Sequence, residues 1–340
     1  MTRMLTLVGV IALGLIAGGC GPSEQQGSQT GQTGAGGGAT ADQAAGQPSA
    51  AARMVAATKQ KVIGASLLTK THVFYQDLSA AMEEEAKKLG YKLIIQYAEF
   101  KGATQNSDIE TFIAQGVDAL VVAPCDSAAI APVIGEAQAK GIPVFTVDIA
   151  AHGAEVTSHI ASDNVQGGRL IGEYLAKLLN GKGKVAIIDH PEAASVQERT
   201  SGFVEALKKY PEITIVQRAE GTGQRDKAML AAQDVLQANP ELNAIFGIND
   251  DSALGALAAV EAAGKQDKIL IVGYDGIPEA REAILAGKAL KADTVQHPKE
   301  IGRKAMQVIA DHFTKKDVPK VVPVAVDIID AAKLKAESGK

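Results

Sequence analysis

Residues 269–275 read ILIVGYD, four consecutive apolar residues followed by glycine, tyrosine and aspartate. A continuous apolar run rich in β-branched residues favours a strand that is covered on both faces, as in a parallel sheet. Similar runs, each followed by a carboxylate or an amide, occur at 143–148 (PVFTVD), 184–189 (KVAIID) and 244–250 (AIFGIND). The pattern predicts a parallel α/β sheet with polar groups at the carboxyl ends of its strands.

Further strands are predicted at 61–66, 91–97, 119–123 and 213–218, and helical stretches separate them. Alternation of strands and helices is typical of a doubly wound sheet. There are too many units for one ordinary sheet, and a split near Ser162 gives two similar halves. We therefore expect an α/β fold with two doubly wound parallel-sheet lobes.

The N-terminus predicts export. Residues 1–3 (MTR) give a short positive start, and residues 4–19 form an uncharged, largely apolar run. Because this run is shorter than the roughly 18–20 residues that a membrane-spanning helix needs, residues 1–19 are interpreted as a signal peptide. Small residues lead into Cys20, which resembles a bacterial lipoprotein signal whose cysteine becomes lipidated. The alternative is an ordinary cleaved signal with an incidental cysteine.

The segment 20–58 that follows is rich in Gly, Gln, Ala, Ser and Thr and nearly free of large apolar residues. Such a segment buries too little surface to offset its ordering entropy, so we expect a disordered, lipidated tether. As a flexible coil it spans roughly 35 Å, which is enough to hold a folded domain off a membrane. The chain is thus expected to be anchored through the Cys20 lipid, in the periplasm or on the extracytoplasmic face of the cell membrane.

The composition excludes several classes of protein. The net charge is −5 without a basic run, so nucleic acid is not an expected partner. With Cys20 assigned to the lipid, Cys125 is the single cysteine of the folded part, so no disulfide framework is expected. The six histidines have no metal-ligand spacing, and the sequence lacks a phosphate loop and a nucleophile elbow. We expect neither an enzyme nor a metal or cofactor, and we interpret Cys125 as a small buried residue.

Polar residues stand directly after four of the apolar runs: Asp148, Asp189, the pair Asn249-Asp250, and Asp275. Ligands of open α/β sheets bind beyond the carboxyl ends of the strands, and carboxylates and amides suit ligands with many hydroxyls. Asp and Asn also favour helix N-caps. A binding cleft is preferred because four such positions occur together, and N-caps remain the alternative.

Four segments carry a resemblance to a known family: 159–168 (HIASDNVQGG), 249–257 (NDDSALGAL), 272–278 (VGYDGIP) and 296–302 (QHPKEIG). In order and spacing they are similar to the ribose-binding branch of the type I periplasmic sugar-binding proteins, which serve ABC transporters. The resemblance covers about residues 61–330.

The resemblance implies a bilobed protein whose chain crosses between the lobes three times, near 162–163, 296–297 and 324–325. The N-terminal lobe is then expected at 59–162 plus 297–324, and the C-terminal lobe at 163–296 plus 325–340. An extracytoplasmic binding protein of this kind captures a small sugar between its lobes and delivers it to a permease.

The resemblance also implies the ligand-binding residues. The expected site consists of two aromatic rings in the first lobe and five polar side chains: Phe74, Tyr75, Asp148, Arg199, Asn249, Asp275 and Gln296. His72, which precedes the aromatic pair, is a possible further donor or a solvent-facing histidine. Phe74 could instead be a core aromatic, and Arg199 could form a surface ion pair with Glu198 or Glu205.

Three residues depart from the sugar-binding pattern: Ile149 replaces a second arginine, Ala123 an asparagine, and Gly223 a second-lobe aromatic. A ligand hydroxyl that points at Ile149 or Ala123 lacks a side-chain partner, which costs about 1–3 kcal/mol. We therefore expect a sugar that is deoxy or apolar on one edge, or bulkier than a pentose beside Gly223.

Two other functions use the same lobes. Sugar-responsive transcriptional regulators carry a helix-turn-helix module ahead of the lobes, where this sequence has the predicted signal and tether. Presentation of a ligand to a membrane chemoreceptor or sensor kinase is compatible with the whole sequence and remains an alternative, as does a non-sugar ligand.

Overall fold

Residues 60–339 are described by the computed structural model of the chain, so the predicted signal peptide, Cys20 and the tether lie outside the described residues. The described chain forms two six-stranded sheets with helices packed against them. No helix in this range is both long and apolar enough to cross a membrane.

The first sheet has its most apolar strands at its centre. Its strands are β1 (Val62–Leu67), β2 (Lys92–Tyr97), β3 (Ala119–Val122), β4 (Val144–Val147), β5 (Ser158–Ser162) and β11 (Val321–Val324). They lie in the order β11-β5-β4-β3-β1-β2, and every pair is parallel. All residues of β3 and β4 are buried, as expected of strands that helices cover on both faces.

The second sheet repeats this arrangement. Its strands are β6 (Lys182–Asp189), β7 (Glu212–Glu220), β8 (Ala244–Gly247), β9 (Leu270–Asp275), β10 (Leu290–Val295) and β12 (Asp327–Asp330). They lie in the order β12-β10-β9-β8-β6-β7. All pairs are parallel except β10 with β12, which is antiparallel. The antiparallel edge strand was not predicted.

Helices connect most of the strands. They are α1 (Val73–Leu89), α2 (Gly102–Gln115), α3 (Ala131–Ala139), α4 (Asn164–Leu178), α5 (Ala194–Leu207), α6 (Arg225–Ala238), α7 (Asp250–Ala262), α8 (Pro278–Leu285), α9 (Pro298–Phe313) and α10 (Ala331–Glu337). In α1 the residues Leu78, Met82 and Ala86 are buried at four-residue spacing. This spacing places them on one face of the helix.

The predicted fold class is confirmed: two doubly wound α/β lobes are joined by a hinge with three crossings. The chain leaves the first sheet after β5, returns to it as β11 after β10, and crosses again before β12. In both sheets the strand order reverses at the first strand, between β1 and β3 and between β6 and β8. Ligand sites of such sheets form at this reversal, beyond the carboxyl ends of the strands.

Candidate functional site

The first lobe contributes two aromatic rings at the beginning of α1. Phe74 and Tyr75 are buried, and their rings meet edge to face with centroids 5.2 Å apart. The Tyr75 hydroxyl donates a hydrogen bond of 2.6 Å to Oδ2 of Asp148. Phe74 belongs to the hydrophobic core and also lines the cavity described below.

Asp148 follows β4 and is buried with a backbone φ of 62°. Left-handed backbone is uncommon for residues other than glycine, though Asn and Asp adopt it more readily. Within residues 60–339 no hydrogen bond reaches its Oδ1 atom. Burial raises the pKa of this carboxyl, and Arg199 and the Tyr75 hydrogen bond partly offset the rise. The turn therefore presents a buried acceptor without a protein donor.

Arg199 lies on α5 and is 4% exposed, so it does not form the surface ion pair considered as its alternative. Its Nε donates to Oδ1 of Asn164 at 2.9 Å, and Nη1 donates to the Ile248 carbonyl at 3.0 Å. The guanidinium carbon lies 4.1 Å from the centroid of the Tyr274 ring, which indicates a cation–π contact. These contacts fix the plane of the guanidinium.

The same guanidinium stands between two carboxylates from different lobes. Nη2 of Arg199 lies 3.9 Å from Oδ1 of Asp148, and Nη1 lies 3.8 Å from Oδ1 of Asp275. Both distances are too long for hydrogen bonds but short enough for charge attraction. Arg199 is thus the central cation of a buried polar cluster.

Asn249 is the N-cap of α7. Its Oδ1 accepts from the Ser252 N–H at 2.9 Å, and its Nδ2 donates to the Gly223 carbonyl at 3.0 Å. Asn249 also lines the cavity. The capping role and the position in the cleft, treated as alternatives above, therefore coexist at this residue.

Asp275 ends β9, and Gln296 follows β10. Nε2 of Gln296 donates to Oδ1 of Asp275 at 2.6 Å, whereas Oε1 of Gln296 is buried and receives no hydrogen bond from the described chain. Burial raises the pKa of Asp275 to about 7, although Arg199 and Gln296 act in the opposite direction. The backbone of Asp275 has a φ of 124°. This second unfavourable φ also belongs to a carboxylate of the cluster.

All seven predicted site residues and His72 line one cavity between the lobes, with about 420 Å³ of empty space. The remaining wall is largely apolar or aromatic: Leu68, Phe100, Ile149, His190, Ala193, Ser195, Val196, Gly223 and Ile248.

Side chains from the two lobes also contact each other. Nε2 of His72 lies 3.1 Å from Oδ2 of Asp251, and the His72 side chain is only 13% exposed, so it does not face solvent. Burial lowers the pKa of His72, and Asp251 opposes this effect. Ser127, from the loop between β3 and α3, contacts the beginning of α5. The structure therefore has the lobes closed over the cavity.

The family model of the periplasmic binding protein domain matches residues 63–317, well over half of the chain. The chain belongs to the periplasmic binding protein family. The ribose import binding protein of Bacillus subtilis (strain 168) is 37% identical over 265 residues, which cover 78% of this chain and 85% of that protein. Such curated relatives are substrate-binding transport proteins, in agreement with the expectation that this chain is not an enzyme.

Solved structures place this periplasmic binding protein among the type I sugar binders. A periplasmic solute binding protein of an ABC transporter from Actinobacillus succinogenes 130z, with bound D-allose, is 31% identical, with a TM-score of 0.75 over 82% of this chain and 100% of that chain. The fructose binding periplasmic domain of a hybrid two component system is 28% identical, with a TM-score of 0.77 over 82% of this chain and 93% of that chain.

The three departures from the family pattern occupy different environments in this binding protein. Ile149 lines the cavity, as expected. Ala123 is buried outside the cavity wall, and its carbonyl accepts from Nε2 of Gln105 at 2.9 Å. A methyl group placed on Gly223 would lie 3.4 Å from Nδ1 of His190. An imidazole therefore adjoins the place where the sequence suggested empty space.

His190 is one of the lining residues that the sequence analysis did not predict. It is 8% exposed, and neither ring nitrogen makes a hydrogen bond with the described chain. Nε2 is 3.7 Å from Oε2 of Glu192. Burial lowers its pKa, which favours the neutral ring. Its position directly after β6 is the sequence signal for it, and the preceding Asp189 shares that signal.

Asp189 and Asp250, also noted at strand ends, do not line the cavity. Both are buried, and Asp189 accepts hydrogen bonds from the His190 N–H and from Arg218.

Burial raises the pKa of Cys125 to about 12, which keeps its thiol protonated. Across residues 60–339 no group of three or more His, Cys, Asp or Glu side chains is arranged to hold a metal ion.

Proposed function

We propose that this protein is an extracytoplasmic substrate-binding lipoprotein that captures a monosaccharide or a close derivative and delivers it to an ABC importer. One observation carries the proposal: the residues assigned to a sugar site by resemblance line a single cavity between the lobes. The ligand of this proposal is a neutral molecule with several hydroxyls. No cofactor takes part.

The polar atoms of the cavity suit hydroxyl groups. Oδ1 of Asp148 and Oε1 of Gln296 are buried acceptors without protein donors, so a ligand hydroxyl can donate to each. Arg199 supplies a charged donor between the two carboxylates. Phe74 provides an apolar ring for the C–H face of a sugar. Acceptors, a cation and an aromatic wall together favour a sugar over an ionised ligand.

Closure about the hinge is part of the proposal. The moving bodies are 59–162 plus 297–324 and 163–296 plus 325–340, with flexure at the three crossings. Ligand binding shifts an open–closed equilibrium because the ligand contacts both lobes only in the closed state. Small-angle scattering is expected to show a smaller radius of gyration with ligand than without it, and equal radii would contradict closure.

The apolar part of the cavity wall restricts which sugars are expected to fit. Ile149, Val196 and Ile248 offer no hydrogen bonds through their side chains. A deoxysugar, a methylpentose or another sugar with one apolar edge therefore fits better than plain ribose. His190 occupies part of the region beside Gly223, so extra ligand bulk is less favoured there than the sequence suggested. Relatives named for ribose, D-allose and fructose agree with such variation within one fold.

The binding experiment is a thermal-shift screen of pentoses, hexoses, deoxysugars, polyols and nucleosides, followed by calorimetry of the hits. The chain has no Trp, so calorimetry is preferred to intrinsic fluorescence. Sub-micromolar affinity for a sugar with an apolar edge supports the proposal. If ribose binds most tightly, the proposed preference for a sugar with an apolar edge is wrong. If no sugar binds, the proposed sugar-binding function is wrong.

Ligand presentation to a sensor kinase is the second candidate, because the fructose binding domain of a hybrid two component system shares the fold. The two functions differ in what loss of the protein removes. Deletion of the gene is expected to abolish uptake of the radiolabelled ligand if the partner is an importer. Normal uptake with loss of ligand-induced transcription or taxis supports the sensor instead.

A further inference from the structure

Two carboxyl groups, Asp250 and Asp293, lie buried beside the cavity without lining it. Asp250 is the first residue of α7, and Asp293 lies on β10, paired in register with Gly273 of β9. Their exposed fractions are 1% and 0%. Neither residue belongs to the proposed sugar site.

The two side chains meet over Gly273. A methyl group placed on Gly273 would lie 2.2 Å from Oδ1 of Asp293 and 3.0 Å from Oδ1 of Asp250. The carboxyl groups are within hydrogen-bonding reach of each other. No N–H or O–H group of residues 60–339 donates to Oδ1 of Asp250 or to either oxygen of Asp293.

Two ionised carboxylates side by side are unstable in a dry interior, because each has lost its water, each repels the other, and three of their four oxygens receive no hydrogen bond from the described chain. A proton held between them removes one charge and supplies the missing donor. Burial is the largest cause that raises both pKa values, that of Asp250 well above its ordinary value and that of Asp293 to about 8. Asp275 adds negative charge, which raises both pKa values further.

Asp250 also holds the turn that carries Asp275. Its Oδ2 accepts from the Ile277 N–H at 2.7 Å, and its own N–H points at Oδ2 of Asp275 at 3.5 Å. On α8, Nε of Arg281 donates to the Gly276 carbonyl at 2.7 Å. The turn at 275–277 is therefore tied to Asp250 on one side and to Arg281 on the other.

We propose that Asp250 and Asp293 share one proton and, as positioning residues, hold the 275–277 turn so that Asp275 faces the cavity. When the pair loses this proton, two charges repel across Gly273 and Asp250 is displaced from the turn. Ligand affinity is then expected to fall at alkaline pH.

The charged groups facing the pair are few. Asp275 faces it from β9 and Arg281 from α8, while β12 places Ile329 opposite Asp293. For an acid whose folded-state pKa is raised, the unfolded state releases its proton more readily. Stability therefore falls as the pH rises from the ordinary carboxyl range toward the raised value. A single linked proton changes affinity by at most about tenfold per pH unit.

Asp293→Asn tests the pair because the amide donates to Asp250 at every pH while the net charge stays that of the protonated pair. Calorimetry with the best sugar of the screen, from pH 6 to 9.5, is expected to show wild-type affinity falling about tenfold on the alkaline side. At pH 6 the sugar affinity of the variant is expected to match that of wild type within threefold. Between pH 6 and 9.5 its affinity should decrease much less than that of wild type. Asp267→Asn, at an exposed position of the same lobe, is the matched control and should show the same alkaline decrease in affinity as wild type.

An unchanged alkaline fall in Asp293→Asn overturns the proposal, and so does an equal loss of affinity at all pH values, which indicates a structural role only. The Tm values of the unliganded proteins give a second test, which does not depend on the proposed sugar function. The wild-type Tm should fall more with rising pH than that of Asp293→Asn. If that variant does not fold, infrared titration of Asp148→Asn/Asp275→Asn decides, because these two carboxyls also have raised pKa values and would add to the band: a protonated-carboxyl C=O band that persists at pH 7 supports the pair, and its absence overturns it.

Discussion

The Oγ atom of Ser127, in the first lobe, accepts a hydrogen bond of 2.9 Å from the N–H of Ala194, the first residue of α5 in the second lobe. The N-cap of α5 is Ala193, which has no side-chain acceptor. The Ser127 N–H also donates to the Glu192 carbonyl at 3.0 Å. A serine of one lobe thus caps a helix of the other lobe, and this cap exists only while the lobes are together.

Ser127→Ala is expected to weaken ligand binding without lowering the Tm of the unliganded protein, because the contact belongs to the closed state. Loss of a serine cap costs about 0.5–2 kcal/mol, or about 2- to 30-fold in affinity. Calorimetry and stopped-flow dissociation measure the effect, which should lie mainly in faster dissociation. Ser107→Ala, on an exposed serine of the same lobe, is the control. Identical affinities of Ser127→Ala and wild type would rule out a contribution to closure.

Arg199→Met removes the cation that stands between Asp148 and Asp275. Removal of one partner of a buried ion pair costs about 3–5 kcal/mol of unfolding free energy. Burial already raises the pKa of both carboxyls, so each can take up a proton as the pH falls. The loss measured by urea unfolding should therefore be smaller at pH 5 than at pH 7. Asp275→Asn in the same background should restore part of it, because Asp275 lies in the same lobe as Arg199, and an equal loss with and without that change argues against the pairing.

Asp275→Asn separates binding from stability. Loss of a charged hydrogen-bond partner is expected to weaken sugar binding by about 1.5–3 kcal/mol, or about 10- to 150-fold. The folded-state pKa of about 7 lies above the ordinary carboxyl value, so ionisation of Asp275 opposes folding increasingly from about pH 4 to 7. The variant should accordingly melt no lower than wild type at pH 8. Asp234→Asn, on an exposed aspartate, serves as the control, and unchanged affinity excludes Asp275 from the site.

His190→Phe keeps a ring beside Gly223 and removes both ring nitrogens. If a ligand hydroxyl bonds to His190, affinity is expected to fall by about 0.5–1.5 kcal/mol, or about 2- to 13-fold. The deoxy analogue that lacks this hydroxyl should bind both proteins alike. His152→Phe makes the same chemical change at an exposed position. A uniform loss across the analogues indicates that His190 only shapes the wall.

Cys20→Ser tests the lipid anchor. The predicted signal and tether require this cysteine for lipidation, so the variant is expected to leave the detergent phase in a two-phase extraction of cells. Wild type should remain in that phase. Partition of the variant with membranes, as for wild type, would show that the assignment of Cys20 is wrong.

The sequence predicts eight strands from their apolar runs and misses four others. Each of the eight predicted runs overlaps a strand of the structure. β5, β10, β11 and β12 were not predicted. His159 of β5 bonds to Thr146, and Asp330 of β12 accepts from Tyr174. Such pairings are set by neighbours distant in sequence, so local periodicity does not reveal them.

The same reasoning applies to the site. Position after a strand identifies Asp148, Asn249 and Asp275, and the structure brings all three to the cavity. It does not distinguish Asp189 from His190, because one residue of difference in the turn decides which side chain enters the cavity. The resemblance supplied Arg199, which lies inside a helix and has no local signal of its own.

The backbone angles at the two carboxylates constrain how this pocket can change over generations. At Asp148 (φ 62°) and Asp275 (φ 124°) a β-branched or bulky replacement is disfavoured on conformational grounds alone. Asn and Gly are the replacements that such a backbone tolerates best. Ile149, His190 and Val196 carry no such restriction. A change of ligand specificity is therefore expected to arise by substitution of these three neighbours, while Asp148 and Asp275 are retained.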